Sequence, residues 1–365
     1  MEKEPLLPTK SPKKRQNFVL VIHGGAGTMS RSKSTPEQQA QYRIALNNAL
    51  RAGYEVLNAG GEAMDAVVAA VSYMEDCPLF NAGKGAVFNV EGKNELEASL
   101  MLSRPPLTHP EVPGTRRGVG LTLLTSIRNP SQLVRQLYLS PDVVPHAFLS
   151  GAPAEALSTI PPVDPSYFFT AKRWIEHRRG LGLPDEPYPF PSEDDKPASE
   201  DFDPDLLPKG TVGAVALDVN GCLASATSTG GRTNKLAGRV GDTPHMGAGF
   251  WAEEWPAPTS WLPWRKGKKV GVAVSGTGDG DHFIRHATAS TLARRMQFLG
   301  QPVEKAAQAV VDELRVANGD GGVIAVDRDG KTAMPLNCSG MYRGVIRPDG
   351  IPKTAIFADD IPSEL

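Results

Sequence analysis

The order of elements predicts an α+β protein in which buried sheets are flanked by helices. Apolar strands lead and close the chain, and helices come in pairs between them. A hairpin stands near its centre: an apolar run over 212–217 is followed by Asn220-Gly221, the strongest short-range hairpin signal, and by a returning strand over 222–227.

The first strand is expected at 18–23. A helix then opens at Thr35-Pro36-Glu37, where threonine caps and proline takes the first turn, and runs to Asn58 before Gly60-Gly61 stops it. A second apolar helix covers 62–74. Strands follow near 85–89 and at 95–102, then at 119–126, which leads into a helix opened by Asn129-Pro130. The last helix of the first half is placed at 167–178. Residues 182–209 are crowded with proline and acid, a composition unable to bury enough apolar surface to offset its ordering entropy, and read as a flexible linker. After the hairpin come a strand at 270–275, helices at 281–299 and 303–316, and strands at 322–326, 332–336 and 342–346, with Asp329-Gly330 turning between the first two of these.

A chain of 365 residues exceeds the usual single-domain size, but the linker and loops bring the ordered part within reach of one layered domain. The net charge of −2 leaves no nucleic-acid footprint, and the basic run Lys13-Lys14-Arg15 reads as a solvated terminus. No apolar stretch approaches the roughly 18 residues of a membrane span, and a secretory h-region is lacking, so a cytoplasmic protein is expected. Cys77, Cys222 and Cys338 show no paired spacing and argue against a disulfide framework or a zinc site.

Thr211 concentrates the chemistry. It opens the hairpin directly after the linker, in Lys209-Gly210-Thr211-Val212-Gly213. Cleavage of Gly210-Thr211 would make it a chain N-terminus carrying hydroxyl and amine together. An α-amino group has an unperturbed pKa of roughly 7.7–8.0, so it can serve as base for its own hydroxyl. Alone, a Gly-Thr before a strand is only a turn and a β-branched strand residue.

The blocks around it decide the weighting. They are Val21-Ile22-His23-Gly24-Gly25-Ala26-Gly27, Glu75-Asp76-Cys77-Pro78-Leu79-Phe80-Asn81-Ala82-Gly83-Lys84-Gly85, Thr227-Ser228-Thr229-Gly230-Gly231, Gly238-Arg239-Val240-Gly241-Asp242-Thr243-Pro244 and Val274-Ser275-Gly276-Thr277-Gly278-Asp279-Gly280. With these blocks the chain closely resembles the plant-type L-asparaginase and isoaspartyl peptidase family of N-terminal-nucleophile hydrolases, over about 17–178 and 210–346. The resemblance sharpens the fold to a four-layer αββα sandwich with two antiparallel sheets face to face. It makes 1–210 and 211–365 the subunits of one domain.

The same resemblance implies Thr211 as nucleophile, Thr229 as its hydroxyl partner, and Thr277 with the Gly278 N–H as oxyanion hole. It also implies Arg239 and Asp242 as clamps on a substrate's α-carboxylate and α-ammonium, with Gly280 adding backbone N–H. Physical sense supports the clamp, because a guanidinium fork suits a carboxylate and a carboxylate suits an ammonium. Read singly, Arg239 and Asp242 would be a surface ion pair, Thr229 a turn residue, and Thr277 a helix cap. The resemblance further implies a structural sodium ion held by backbone carbonyls of Met74, Glu75, Cys77, Phe80, Ala82 and Lys84, and a lesser role for Asn81 in ordering water or the nucleophile. No cofactor for catalysis is implied. The expected partner is a small-molecule substrate, in a dimer of cleaved αβ heterodimers. L-Asparagine and N-terminal β-aspartyl dipeptides are the expected substrates, with a glycosylasparaginase-like amidase as the alternative.

Other motif classes fail. No Gly-x-Ser-x-Gly elbow accompanies the His23-Gly24-Gly25 loop, Gly276-x-Gly278-x-Gly280 has the wrong spacing for a dinucleotide fingerprint, and Gly330-Lys331-Thr332 lacks the upstream glycine of a P-loop. Nucleotide binding and a degenerate binding module are the non-enzyme alternatives. Three departures from the family pattern stand out: Met101-Leu102-Ser103-Arg104 where members often carry Met-Asp-Gly, the length of the linker, and an insertion at 252–269 bearing Trp255, Trp261 and Trp264 with a cluster of lysines and arginine.

Overall fold

The computed structural model describes residues 17–27, 29–184, 186, 210–257 and 269–365. The expected linker lies almost wholly outside these residues, as do most of the insertion and the basic run at 13–15.

An eight-stranded sheet holds, in spatial order, β12 (Lys353–Phe357), β11 (Gly340–Ile346), β1 (Val19–Gly27), β5 (Val212–Leu217), β6 (Leu223–Thr229), β2 (Leu96–Leu102), β3 (Gly118–Leu124) and β4 (Phe148–Ser150). All its pairings are antiparallel except β3 with β4. A second, antiparallel sheet has the order β10 (Thr332–Ala333), β9 (Gly321–Asp327), β8 (Lys269–Gly278) and β7 (Phe250–Pro256). The helices are α1 (Pro36–Asn58), α2 (Ala63–Asp76), α3 (Pro130–Tyr138), α4 (Gly151–Glu155), α5 (Ala171–Gly180), α6 (Gly280–His286), α7 (Thr288–Leu299) and α8 (Val303–Val316).

Three apolar clusters hold these elements together. One joins α1, α2 and α3 to the large sheet through residues such as Leu46, Leu50, Val67, Val71 and Leu133 against Leu20, Ile22, Leu100 and Ala226. A second joins α7 and α8 to the small sheet, with Leu292, Val310 and Leu314 against Val272, Val274 and Val323. The third draws from both sheets, with Val19, Val21, Val215 and Leu217 meeting Phe250, Ala273, Ile324 and Val326. Strands with apolar side chains on both faces, such as β5, are fully buried, which explains their unbroken apolar runs.

Most expected elements are present. Thr35 caps α1 in a full capping box, accepting from the Gln38 N–H while the Gln38 side chain accepts from the Thr35 N–H. The hairpin turns at Asn220-Gly221, with Gly221 at φ +79° and the Asp218 carboxylate accepting from the N–H of Asn220 and Cys222. Several boundaries differ. Residues 85–89 form no strand, only an isolated bridge from Asn89 to Lys235. The helix expected at 167–178 is a 3₁₀ turn, Pro165–Phe168, followed by α5, because Thr170 caps a new start by accepting from the Arg173 N–H. The helix expected at 281–299 breaks at Ala287, which adopts left-handed φ +46°, ψ +46°. The expected strand 332–336 shrinks to β10. The start of the insertion is strand β7, whose Trp255 is buried in the small sheet's helix-side cluster. Strand β12 was not expected at all. Among the described residues no helix is long and apolar enough to cross a membrane.

Candidate active site

Alternation along each strand decides which side chains enter the space between the sheets. On β5, Val212, Ala214 and Ala216 join the helix-side cluster while Val215 and Leu217 join the cluster shared by the sheets, so Thr211 lies on the inner face. The same count puts Ser225, Thr227 and Thr229 of β6, Ser275 and Thr277 of β8, and His23 of β1 on inner faces. Four strands thus deliver hydroxyls and one imidazole into a single space. Val212 pairs with Ser228, so one further step of that register sets Thr211 opposite Thr229, a spacing of about 4.5–5.5 Å between Cβ atoms.

Thr211 is buried, and its Oγ1 lies 3.3 Å from Oγ1 of Thr243. Its carbonyl is held by His23, whose Nδ1 is 2.9 Å away; Nε2 is 2.7 Å from Oγ of Ser275. A carbonyl only accepts, so Nδ1 carries the proton and Nε2 accepts from the serine hydroxyl. Burial pushes the imidazole pKa down to about 3, which keeps His23 neutral. His23 therefore anchors the backbone beside Thr211.

The Gly210-Thr211 bond sits in a close cradle. A Cβ on Gly210 would lie 2.5 Å from Oγ1 of Thr277, 2.6 Å from the Ala26 nitrogen and 2.8 Å from Cα of Gly25. Only glycine fits there. Gly25 itself is at φ +114°, with the Gly210 carbonyl pressed against it, so the His23–Ala26 loop wraps the bond. Thr277 does not cap a helix: its Oγ1 accepts from the Ala26 N–H at 3.1 Å, while Asp279 stands at the N-cap of α6. Gly278, at φ +139°, packs against the Asp320–Gly321 backbone.

Thr229 accepts from the Gly231 N–H at 3.0 Å; in the continuous chain the hydroxyl that meets Thr211 is that of Thr243. Asn81 orders the turn carrying Thr229. Its Nδ2 donates to the Gly231 carbonyl, its Oδ1 accepts from the Val87 N–H, and its carbonyl accepts from the Gly230 N–H.

The loop from 239 to 242 brings Arg239 and Asp242 to the rim of the same space. Arg239 Nη2 donates to Asp281 at 3.2 Å. Asp242 is buried, with its carboxylate cradled by Gly280 and Gly249, and its Oδ2 has no hydrogen-bond partner among the described residues. Burial, reinforced by the neighbouring Glu97 charge, pushes its pKa up to about 7. Glu97 stands opposite Thr229 on β2 and accepts from the Gly241 N–H at 2.8 Å, tying the clamp loop to the strand of the second threonine. Burial raises the pKa of Glu97 too, while Lys235 and Arg239 oppose the rise. His23, Thr243 and Ser275 lie inside the ordered motif blocks, but the blocks assign their side chains no role, and Glu97 carries no signal at all.

The loop between α2 and β2 folds back on itself. Lys84 N–H donates to the Glu75 carbonyl at 2.7 Å, and a Cβ on Gly85 would stand 2.7 Å from the Pro78 oxygen and 2.9 Å from that of Phe80. Two carbonyl oxygens thus close on Gly85, of which that of Phe80 belongs to the expected ligand set, while those of Met74, Glu75 and Cys77 accept from the N–H groups of Cys77, Lys84 and Phe80. Backbone carbonyls are the donor type that suits a hard cation.

Buried hydroxyls around a glycine-threonine bond, with a guanidinium and an ionisable carboxylate at the rim, belong to a hydrolytic enzyme. The chain is a member of the asparaginase family, whose model matches residues 16–356. It is 36% identical to the isoaspartyl peptidase of Escherichia coli strain K12 over 349 residues, covering 93% of this chain and 96% of the relative. It is likewise 36% identical to the isoaspartyl peptidase/L-asparaginase of Bos taurus, covering 89% and 92%, and 34% identical to that of Danio rerio, covering 86% and 87%.

Proposed function

We propose that this chain is an autoproteolytically activated amidohydrolase acting on L-asparagine and N-terminal β-aspartyl dipeptides through Thr211. The observation that carries the reading is the cradle around Gly210-Thr211, where Gly25, Ala26 and Thr277 close on a bond that only glycine can present. The names of the relatives supply the substrate class.

In maturation, Thr211 Oγ attacks the Gly210 carbonyl carbon, the peptide C–N bond breaks, and the hydroxyl proton passes to the departing nitrogen. That nitrogen is the Thr211 amine, now free; water then hydrolyses the Gly210–Thr211 ester, releasing the Gly210 carboxylate and restoring the threonine hydroxyl. In turnover that amine takes the Oγ proton and Oγ attacks the side-chain carbonyl of the substrate. The oxyanion is received by the Thr277 hydroxyl and the Gly278 N–H, donors worth about 2.7–4 kcal/mol each in well-studied cases. Ammonia or a peptide amine leaves with a proton, and water releases L-aspartate from the β-aspartyl-Thr211 ester. Thr229 supports the nucleophile from across the strand pair. Arg239 binds the α-carboxylate, and the unpartnered Oδ2 of Asp242 receives the α-ammonium, with Gly280 behind it.

The three apolar clusters favour a four-layer αββα sandwich. Strand order favours one domain from two cleaved halves: β5, β6, β11 and β12 follow Gly210, yet β1 lies between β11 and β5, and β6 pairs with β2. The α (1–210) and β (211–365) subunits would stay bonded through that sheet, in a cytoplasmic dimer of heterodimers. The carbonyls of Met74, Glu75, Cys77, Phe80, Ala82 and Lys84 would hold a sodium ion that braces the Asn81 loop.

A comparison of kcat/KM for asparagine, a β-aspartyl dipeptide, an α-aspartyl dipeptide and a glycosylated asparagine tests the substrate class. Turnover of the first two is expected, and preference for either of the last two overturns it. For Arg239→Ala, KM for both substrates should rise about 100-fold, since a charge-assisted pair is worth roughly 1.5–3 kcal/mol, while cleavage at Thr211 proceeds. Steady-state kinetics on the cleaved variant reads this, and an unchanged KM removes Arg239 from the clamp.

A further inference from the structure

We propose that Thr243 is a positioning residue for the nucleophile, its side-chain oxygen accepting from the Thr211 hydroxyl and fixing the Thr211 rotamer for attack. This rests on the reading of Thr211 as nucleophile.

Thr243 is fully buried in the loop between β6 and β7, and its Oγ1 lies 3.3 Å from that of Thr211. Its own placement is constrained from several sides. The Thr243 carbonyl accepts from Oγ1 of Thr227 at 3.2 Å, and Thr227 in turn contacts the Ser99 hydroxyl on β2. On one side, the backbone of Asp242 is pinned by turns from His245 and Gly249, whose N–H groups donate to the Asp242 carbonyl. On the other, the Pro244 carbonyl packs against Gly120 of β3. A hydroxyl anchored to three strands of the large sheet is thus presented to the one hydroxyl that must hold a single direction.

A threonine hydroxyl rotates among staggered positions, and attack requires its oxygen lone pair toward the carbonyl carbon. An acceptor for the Oγ proton selects the rotation that leaves that lone pair free. Thr229 occupies the facing strand position, yet its oxygen accepts from the Gly231 N–H. In the continuous chain the hydroxyl within hydrogen-bonding reach of the Thr211 hydroxyl is that of Thr243, and the orienting contact falls to it. The proton-transfer steps are unchanged by it: the Thr211 proton still passes to the departing nitrogen during maturation and to the free amine in turnover.

The test uses full-length Thr243→Val, Thr243→Ala and Thr243→Ser. Cleavage of freshly made chain is followed by intact mass, kcat and KM are measured on whatever matures, and thermal unfolding is recorded for each. Val, close in shape, should slow cleavage and lower kcat by about 10-fold, the scale of one hydrogen bond of roughly 1.4 kcal/mol, with KM little changed. Ala should do the same, so a Val chain that fails to fold leaves the comparison of Ala with Ser. Ser should restore both rates. Wild-type cleavage and kcat in Val or Ala overturns the proposal, and so does Ser as slow as Ala, which would point to packing of the methyl group. A wild-type chain that neither cleaves nor hydrolyses asparagine instead defeats the Thr211 reading itself.

Discussion

Thr211→Ala is expected to remain one unbroken chain and to lose at least about 10⁴-fold in kcat, the scale seen when a hydrolase loses its nucleophile. The expectation follows from the double use of one side chain. The hydroxyl performs the cleavage that creates the amine, and the amine then activates the hydroxyl, so deletion removes both the reaction and its own maturation. Stability should be little affected. The hydroxyl gives up one long contact, to the Thr243 hydroxyl, and the His23 bond is to the backbone carbonyl, which alanine keeps. The measurement is intact mass with N-terminal sequencing of the same sample used for assay. Wild-type protein should give a fragment beginning at Thr211. Full turnover by the alanine variant, or by an unbroken wild-type chain, ends the mechanism.

How much of this could be read beforehand depended on the range of the interaction. Local signals carried well: the Thr35–Gln38 capping box and the Asn220-Gly221 turn are set by residues a few positions apart, and α8 is bounded as its apolar spacing predicts. The break at Ala287 was invisible, because alanine favours the helix and apolar spacing continues on both sides; tertiary packing imposes the left-handed conformation. Residues 85–89 look strand-like by composition, but their backbone is spent on turns and on Asn89. Strand β7 was hidden because Glu253 and Glu254 interrupt an apolar pattern; both are held by arginines, Arg117 and Arg294 on one and Arg328 on the other. In the site, Thr211, Thr229 and Thr277 were legible from ordered motifs. The contacts made by His23 with Thr211 and Ser275, and by Thr243 with Thr211, were not. They join residues 188, 252 and 32 positions apart, across sheets whose facing no local pattern encodes.

For Asp242→Asn, the expected result is a loss of activity together with a gain in stability that depends on pH. A buried carboxylate with an unpartnered Oδ2 is poorly placed in the free protein and well placed once an ammonium arrives. Removing the charge should lower kcat/KM by about 10²- to 10³-fold, since breaking a buried ion pair costs roughly 3–5 kcal/mol. Below about pH 7 the wild-type carboxyl is protonated and cannot hold the ammonium, so wild-type 1/KM should fall as pH drops through 7. The Asn variant should lack that limb. Stability runs the other way. The folded pKa is raised above the ordinary value, so the Asp242 contribution is fully present below the unfolded pKa, near 4, and is lost as pH rises through about 7. A shift of this size corresponds to something on the order of 4 kcal/mol. The amide avoids the charge but leaves a donor unsatisfied, offsetting about 1–3 kcal/mol of the gain. The variant's Tm should therefore exceed wild type at pH 8, with the excess shrinking toward pH 4. Equal Tm values at every pH would mean that Asp242 is solvated in the free protein. An unshifted KM profile would separate it from the substrate's ammonium and leave Glu97 as the carboxylate to examine.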